Sequence, residues 1–249
     1  MRLRGATALV TGASRDLGRH FAEELLRRGA AKVYATARRP ELVDLPGAEV
    51  LALDVTEPAS VAAAAAAAGD VDLLVNNAGV SLGVNLVDGD LDEIRLTLDT
   101  HVYGTLAMIR AFAPVLAENG GGAILNVLSV LSFQPYDGNN AYAVAKSAEW
   151  SLTNGVRLEL ADQGTLVTGL VFGPTATTTM RAFAERAALA GGALPDGVLN
   201  DPVDIVRTAL DGVESGRTEI LADHFATAAK SSLAGDPRAF VVETAGETA

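Results

Sequence analysis

Hydrophobic residues fall along this chain in short uninterrupted runs, and between the runs they recur with helical spacing. Residues 7–10, 32–37, 50–53, 72–75, 123–128, 166–171 and 219–221 read as seven strands. Within them apolar residues follow one another instead of alternating with polar ones, as expected of strands covered on both faces. The intervening segments carry helical periodicity, so the chain reads as repeated β-α-β units. Right-handed crossovers wind such units into an α/β fold, a doubly wound parallel sheet in a single Rossmann-type domain over residues 1–249. Any ligand is then expected outside the carboxyl ends of the strands.

Particular segments refine this picture. Residues 61–68 are nearly all alanine, follow Pro58 and Ser60, and read as a plain covering helix. Residues 101–117 and 141–160 are apolar or small around most of their circumference. That pattern fits helices pressed on the sheet on one side and on a second subunit on the other, with Trp150, Ala143, Ser147 and Ser151 at the close approach. A homodimer or homotetramer is the expected assembly; the alternative is that these helices only cover the sheet. Residues 175–197 lack a strand pattern and end in a Gly/Pro-rich run, the profile of a mobile substrate lid with a short helix inside it. Residues 235–249 read as a loose tail.

Composition narrows the function. With 49% hydrophobic and 20% charged residues the chain is ordinary globular protein. A formal charge of −12 repels phosphate backbones and anionic surfaces, so neither nucleic acid nor membrane is an expected partner. The absence of cysteine removes disulfides, thiolate nucleophiles and sulfur-ligated metals. The three histidines, at 20, 101 and 224, share no ligand spacing, and no metal is expected. Neither a signal-peptide core nor a spanning run of roughly 18 apolar residues is found, and a cytoplasmic location is expected by elimination.

Candidate chemistry lies at the strand ends. The first strand runs into Thr11-Gly12-Ala13-Ser14-Arg15-Asp16-Leu17-Gly18, a glycine-bearing turn that lets backbone approach a pyrophosphate and aims helix amides at it. The second strand ends in Arg38-Arg39, and no acid occurs between Gly29 and Pro40, where NAD sites carry one for the ribose hydroxyls. A guanidinium forks onto a 2′-phosphate, so Arg38, helped by Arg15, favours NADP(H). Asp54-Val55 and Asn76-Asn77-Ala78-Gly79 end the third and fourth strands. Tyr142 and Lys146, four residues apart, share one helix face. A phenol of reference pKa about 10 becomes a usable acid or base when an ammonium and an oxidised nicotinamide lower that value. Ser129 ends the fifth strand thirteen residues before Tyr142, where its hydroxyl can stabilise charge developing on a substrate oxygen.

Together these motifs resemble the short-chain dehydrogenase/reductase family, whose turn reads T-G-x-x-x-G-x-G, and the resemblance runs to about Asp223. It implies Ser129 as orienter and oxyanion donor, Tyr142 as proton donor, and Lys146 as pKa modifier and nicotinamide-ribose contact. It also implies cofactor contacts from Gly12, Ser14, Arg15, Leu17, Gly18 and Arg38, from Asp54 and Val55 at the adenine, from Asn77, Ala78 and Gly79 at the ribose, and from Thr178 at the carboxamide. Three positions depart from the pattern. Asp16 stands for the middle glycine and is expected to cap its helix and point away from the nucleotide; Gly173-Pro174 inverts the usual dipeptide; His101 fills an asparagine slot, either as a relay residue or as a packed histidine in a helix kink. The implied activity is an NADPH-dependent ketone or aldehyde reductase, or the reverse alcohol dehydrogenase. Its small apolar substrate is expected against Ser81, Leu82, Leu131, residues 133–136, Phe172 and Phe183. The competing implications are a non-catalytic NADP-binding sensor or scaffold, and a same-fold imine reductase or dehydratase.

Overall fold

Buried strands must pair their backbone N–H and C=O groups, and the seven apolar runs do so in one parallel sheet. The computed structural model describes residues 1–189, 194–195 and 197–241. The strands are β1 (Thr7–Val10), β2 (Lys32–Ala37), β3 (Glu49–Ala52), β4 (Leu73–Asn76), β5 (Ala123–Val127), β6 (Leu166–Val171) and β7 (Glu219–Leu221). Their order is β3-β2-β1-β4-β5-β6-β7, so the winding reverses between β1 and β4. The expected and observed strand bounds agree for β1, β2, β6 and β7, and shift by one residue at β3 and β4. β3 and β7 are the two edges, and Glu49, Val50 and Ala52 of β3 are exposed.

Helices cover both faces. On one, α1 (Asp16–Arg27) and α7 (Pro202–Glu214) press Phe21, Leu25, Ile205 and Leu210 onto the sheet. On the other, α2 (Pro58–Ala67), α4 (Thr105–Glu118) and α5 (Asn140–Glu159) contribute Val61, Met108, Phe112 and Val156. The alanine-rich α2 starts with Pro58 at its first turn and is, as expected, a covering helix. α3 (Leu91–Leu98) leads into α4 through a π-helical turn, Asp99–Gly104, so residues 101–104 are not ordinary α-helix. Among the described residues no helix is long and apolar enough to cross a membrane.

Three expectations are corrected by packing. Ala143 is buried and Trp150 partly buried, while Ser147 and Ser151 stay exposed: the first two join a third apolar cluster with Phe133 and with α8 (His224–Ser231), and the indole N–H donates to Glu219 (2.9 Å). The helix inside the proposed lid, α6 (Thr178–Leu189), has twelve residues and is not short; residues 190–193 and 196 of that segment lie outside the described ones. The tail is anchored at Phe240. The Phe240 ring is 8% exposed against Phe225, and its N–H donates to the Pro135 carbonyl (2.8 Å), because an apolar cleft between α5 and α8 lowers the free energy of that ring more than water does. Residues 242–249 lie outside the described ones.

Phe240→Ala is therefore expected to destabilise the fold by about 3 kcal/mol, the low end for a buried ring. At roughly 2–4 °C per kcal/mol in a chain of this size the melting temperature falls by roughly 6–12 °C. A thermal melt within about 2 °C of the parent would show that the tail is only a passenger.

Candidate active site

The reversal between β1 and β4 opens into a cavity of about 720 Å³ at the carboxyl ends of the strands. Its floor is locked by Thr11, whose hydroxyl accepts from the N–H groups of Asn77 and Ala78 (both 2.9 Å) and donates to the Val75 carbonyl (3.3 Å). The Asn77 amide donates in turn to the Thr11 carbonyl (2.9 Å). Two glycines make the turn after β1 possible. Gly12 has φ +69°, and a Cβ there would stand 3.1 Å from the Ala78 Cα. A Cβ on Gly18 would come within 2.2 Å of the Gly12 carbonyl oxygen, so α1 can begin against the turn only with glycine at this position.

Ser14, Arg15 and Leu17 line the same end of the cavity, with Arg38 at the close of β2, Asp54 and Val55 after β3, and Ala78 and Gly79 after β4. The Asp54 carboxylate holds its own loop by accepting from Thr56 N–H (3.0 Å) and hydroxyl (2.7 Å). Arg15, not Asp16, is the N-cap of α1, and its side chain makes no capping bond. Asp16 adopts φ +49°, a left-handed conformation that aspartate tolerates better than most residues, and so keeps the backbone path a glycine would take. Its carboxylate does not cap α1 as expected. It accepts instead from the N–H (2.7 Å) and hydroxyl (2.8 Å) of Thr178, at the start of α6.

With its hydroxyl held there, Thr178 is not among the residues lining the cavity; Thr175, Thr177 and Thr179 are. The Gly173-Pro174 order also has a local cause. A Cβ at Gly173 would meet Phe225 at 2.7 Å, and the Gly173 N–H donates to Asp223 (2.7 Å), the residue that caps α8.

At the far end, α5 presents Tyr142 and Lys146 one turn apart, facing Ser129 at the end of β5. The Ser129 hydroxyl accepts from the Leu131 N–H (3.2 Å), which leaves its proton to donate elsewhere. Lys146 is 4% exposed, and its ammonium donates to the Val127 carbonyl and to Glu149, each at 2.7 Å. Glu149 was not anticipated: on sequence it is one acid three residues after a lysine on a helix, the usual mark of a solvated face. His101 is 2% exposed in the π turn, with Nε2 within bonding distance of the Val80 carbonyl (2.7 Å) and N–H (3.1 Å). Gly79 makes room for it, since a Cβ there would lie 2.4 Å from the imidazole Cε1.

These charges set the protonation states. Burial, the largest single influence, pushes the Lys146 ammonium down, but the Glu149 carboxylate and the Tyr142 phenol together outweigh it and the net displacement is upward. Burial pushes Glu149 up, and the Lys146 ammonium, with His101 beside it, brings it below the ordinary carboxylate range. The Tyr142 phenol is displaced upward, opposite to the expectation: desolvation dominates, and Glu149 works against the lowering exerted by Lys146 and Ser129. His101 is displaced downward by burial and by Lys146, and is neutral near pH 7.

Ser81, Leu82, Leu131, Tyr136, Phe172 and Phe183, expected against a substrate, all line this cavity, as do Met180, Leu194 and Phe240. Residues 133–135 are not part of it: Phe133 stacks edge-on against Trp150 (5.3 Å between centroids), and the Gln134 amide donates to Ser232 (2.9 Å).

The family model for short chain dehydrogenases matches residues 6–188. The chain belongs to the short-chain dehydrogenase/reductase family. A short-chain dehydrogenase of Burkholderia cenocepacia J2315, solved in complex with NADP, superposes with a TM-score of 0.85 at 34% identity over 95% of both chains. The 3-ketoacyl-(acyl-carrier-protein) reductase of Brucella melitensis, complexed with NADH, gives 0.77 at 27% identity over 87% of this chain and 96% of its own. The NADP-dependent 3-hydroxy acid dehydrogenase of Schizosaccharomyces pombe is 33% identical over 176 residues, 65% of this chain and 68% of its own. The chain is thus an oxidoreductase of a family that uses nicotinamide cofactors, and its glycine cradle, with Arg15 and Arg38 beside it, fits a phosphorylated dinucleotide.

His101 is expected to make this short-chain dehydrogenase acid-labile. Its pKa is depressed in the folded state, so the unfolded chain binds the extra proton; stability is complete above the unfolded value of about 6.5 and is lost as pH falls below it. Melting temperature against pH checks this: the decline below about pH 6.5 should be shallower in His101→Asn, and equal slopes would remove His101 as the cause.

Proposed function

We propose that this protein is an NADP(H)-dependent carbonyl reductase, or the reverse alcohol dehydrogenase, acting on a small apolar ketone, aldehyde or alcohol. The observation that carries the reading is one cavity with two chemically distinct ends. One end has the glycine turn with Arg15 and Arg38; the other has Ser129, Tyr142 and Lys146. Arg38 follows a strand without an acid from residue 30 to 39, so a 2′-phosphate finds a partner and bare ribose hydroxyls find none. The NADP bound by the Burkholderia relative and the name of the fission-yeast relative support that choice.

When bound, NADPH supplies the hydride; the remaining work falls to the chain. Ser129 orients the substrate oxygen and donates to it, Tyr142 delivers the proton that oxygen requires, and Lys146 holds positive charge beside the phenol as negative charge develops. Leu131, Tyr136, Phe172 and Phe183 exclude water, and no arginine or lysine stands among them to receive an anion, which favours a neutral apolar substrate. Residues 175–189 act as a lid on the one domain of residues 1–249, and the exposed Tyr103, Val144 and Leu158 are available to a homodimer or homotetramer. A non-catalytic NADP-binding protein is the second reading, favoured by Asp16 and His101 standing where the family has glycine and asparagine.

Calorimetric titration with NADPH and NADH tests the cofactor. NADPH is expected to bind more tightly, and Arg38→Asp to weaken it roughly 10- to 100-fold, the worth of a charge-assisted pair, with little effect on NADH. Equal affinity for the two in the parent would overturn NADP preference. Over a panel of apolar ketones, Tyr142→Phe is expected to lower turnover by about 10²- to 10⁴-fold while NADPH affinity is retained. Unchanged turnover refutes Tyr142 as the acid, and tight NADPH binding with no turnover in the parent favours the second reading.

A further inference from the structure

Beneath the cavity lies a buried carboxylate that the reaction as described does not use. Glu149 is 2% exposed, and its Oε2 accepts from Lys146 Nζ at 2.7 Å. Its Oε1 accepts from the Thr105 hydroxyl at 3.3 Å, across from α4. His101 Nδ1, which has no hydrogen-bond partner among the described residues, is 3.8 Å from Oε2. Two of the three ammonium N–H donors of Lys146 are committed to Val127 and Glu149, and the third is left for the cavity side.

A buried carboxylate is costly, and an apolar side chain of similar volume is commonly as stable in such a place. Its presence beside the lysine changes what Tyr142 experiences. The Lys146 ammonium lies 5.7 Å from the centre of the phenol ring, and alone it would favour the phenolate. Tied to a carboxylate at 2.7 Å, it acts on the phenol as part of a nearly neutral dipole. In reduction the carbonyl carbon gains a hydride from NADPH, leaving NADP⁺, and the oxygen gains the Tyr142 proton, later replaced from water. In oxidation Tyr142 must first be phenolate in order to take the proton of the alcohol.

We propose that Glu149 is a positioning residue of this site: it anchors the Lys146 ammonium and offsets its charge at Tyr142, so that the phenol stays in the proton-donor form that carbonyl reduction uses. This rests on Tyr142 being the proton donor. Charged and titratable groups around Tyr142 come from each packed element. Lys146 and Glu149 share its helix, and His101 meets it edge-on from the π turn at 5.1 Å. The β5 side contributes the neutral Ser129. Asp92 and Arg95 of α3 pair with each other at the surface (2.8 Å), as do Glu219 and Lys230 beside Trp150 (2.9 Å). The upward displacement of the phenol, raised by burial and by Glu149, agrees with the geometry.

The test is the ultraviolet titration of Tyr142 in the whole protein, read as the difference between each protein and its Tyr142→Phe counterpart, which removes the signal of the other tyrosines. The parent is expected to ionise above the free-phenol value of about 10. Glu149→Gln, which keeps a hydrogen-bond acceptor and removes the charge, should lower the midpoint by at least about one pH unit, a tenfold change. Glu149→Asp should return it toward the parent. In the same variants the turnover number for alcohol oxidation relative to that for ketone reduction, each with substrate and cofactor saturating at one fixed pH, should rise about tenfold for Gln and little for Asp. An unchanged midpoint in folded Glu149→Gln overturns the proposal. Should that variant not fold, a parent midpoint below about 10 overturns it equally. The titration needs no substrate, so its outcome and the activity of Tyr142→Phe can fail independently.

Discussion

A buried ammonium must have an acceptor for its N–H groups, and the acceptors found by Lys146 organise the site around it. The Val127 carbonyl is available because β5 ends there, so the lysine ties α5 to the sheet at the strand end where Ser129 follows. Glu149 answers the remaining charge and carries the tie across to α4 through Thr105. These bonds fix the rotation of α5 about its axis. A helix turned by one residue would swing Tyr142 by roughly 100° and away from Ser129. Removing either charge of the pair would leave the other buried without compensation, which costs more than the pair itself contributes.

The same dependence explains which parts were readable from sequence. Parallel strands buried on both faces leave uninterrupted apolar runs, so the strands were legible as such, with β1, β2, β6 and β7 placed to the residue and β3 and β4 displaced by one. Because ligand groups of such folds gather where strands end, residues at the ends of β1 to β5 could be gathered into one site from order alone. Glu149 was not legible, since local spacing does not tell whether a helix face is wet or covered once both sides carry small residues. Trp150, Phe133 and Phe240 escaped for a related reason. An aromatic residue states that it needs cover but not what supplies it, and the cover here is α8, distant in sequence from Trp150 and Phe133 and reached by Phe240 only where the tail folds back.

The turn after β1 shows how a departure from a motif can preserve the physical role of the residue replaced. A glycine in the middle of such a turn serves to reach φ above zero; Asp16 reaches φ +49° at the modest cost a left-handed conformation imposes on a short polar side chain. Two hydrogen bonds from Thr178 compensate, and a carboxylate at the start of α6 is favoured there by the helix dipole. In open water it would repel a phosphate at 4 Å by about 1 kcal/mol, and at an effective dielectric of 20 by about 4 kcal/mol. Directing its oxygens at Thr178 satisfies the charge locally.

That arrangement joins two ends of the cavity that the fold alone keeps apart. Residue 16 belongs to the turn after β1 and residue 178 to α6, whose Met180 and Phe183 line the same cavity, 162 positions apart in the chain. Any charge brought to the turn is felt by the carboxylate that fixes the first residue of α6, and any movement of α6 withdraws two donors from that carboxylate. Thermodynamic linkage makes the effects reciprocal. The sign of the coupling follows from electrostatics: an anion at the turn raises the free energy of a bare Asp16 more than that of one bonded to Thr178, so it strengthens the tie between the turn and α6.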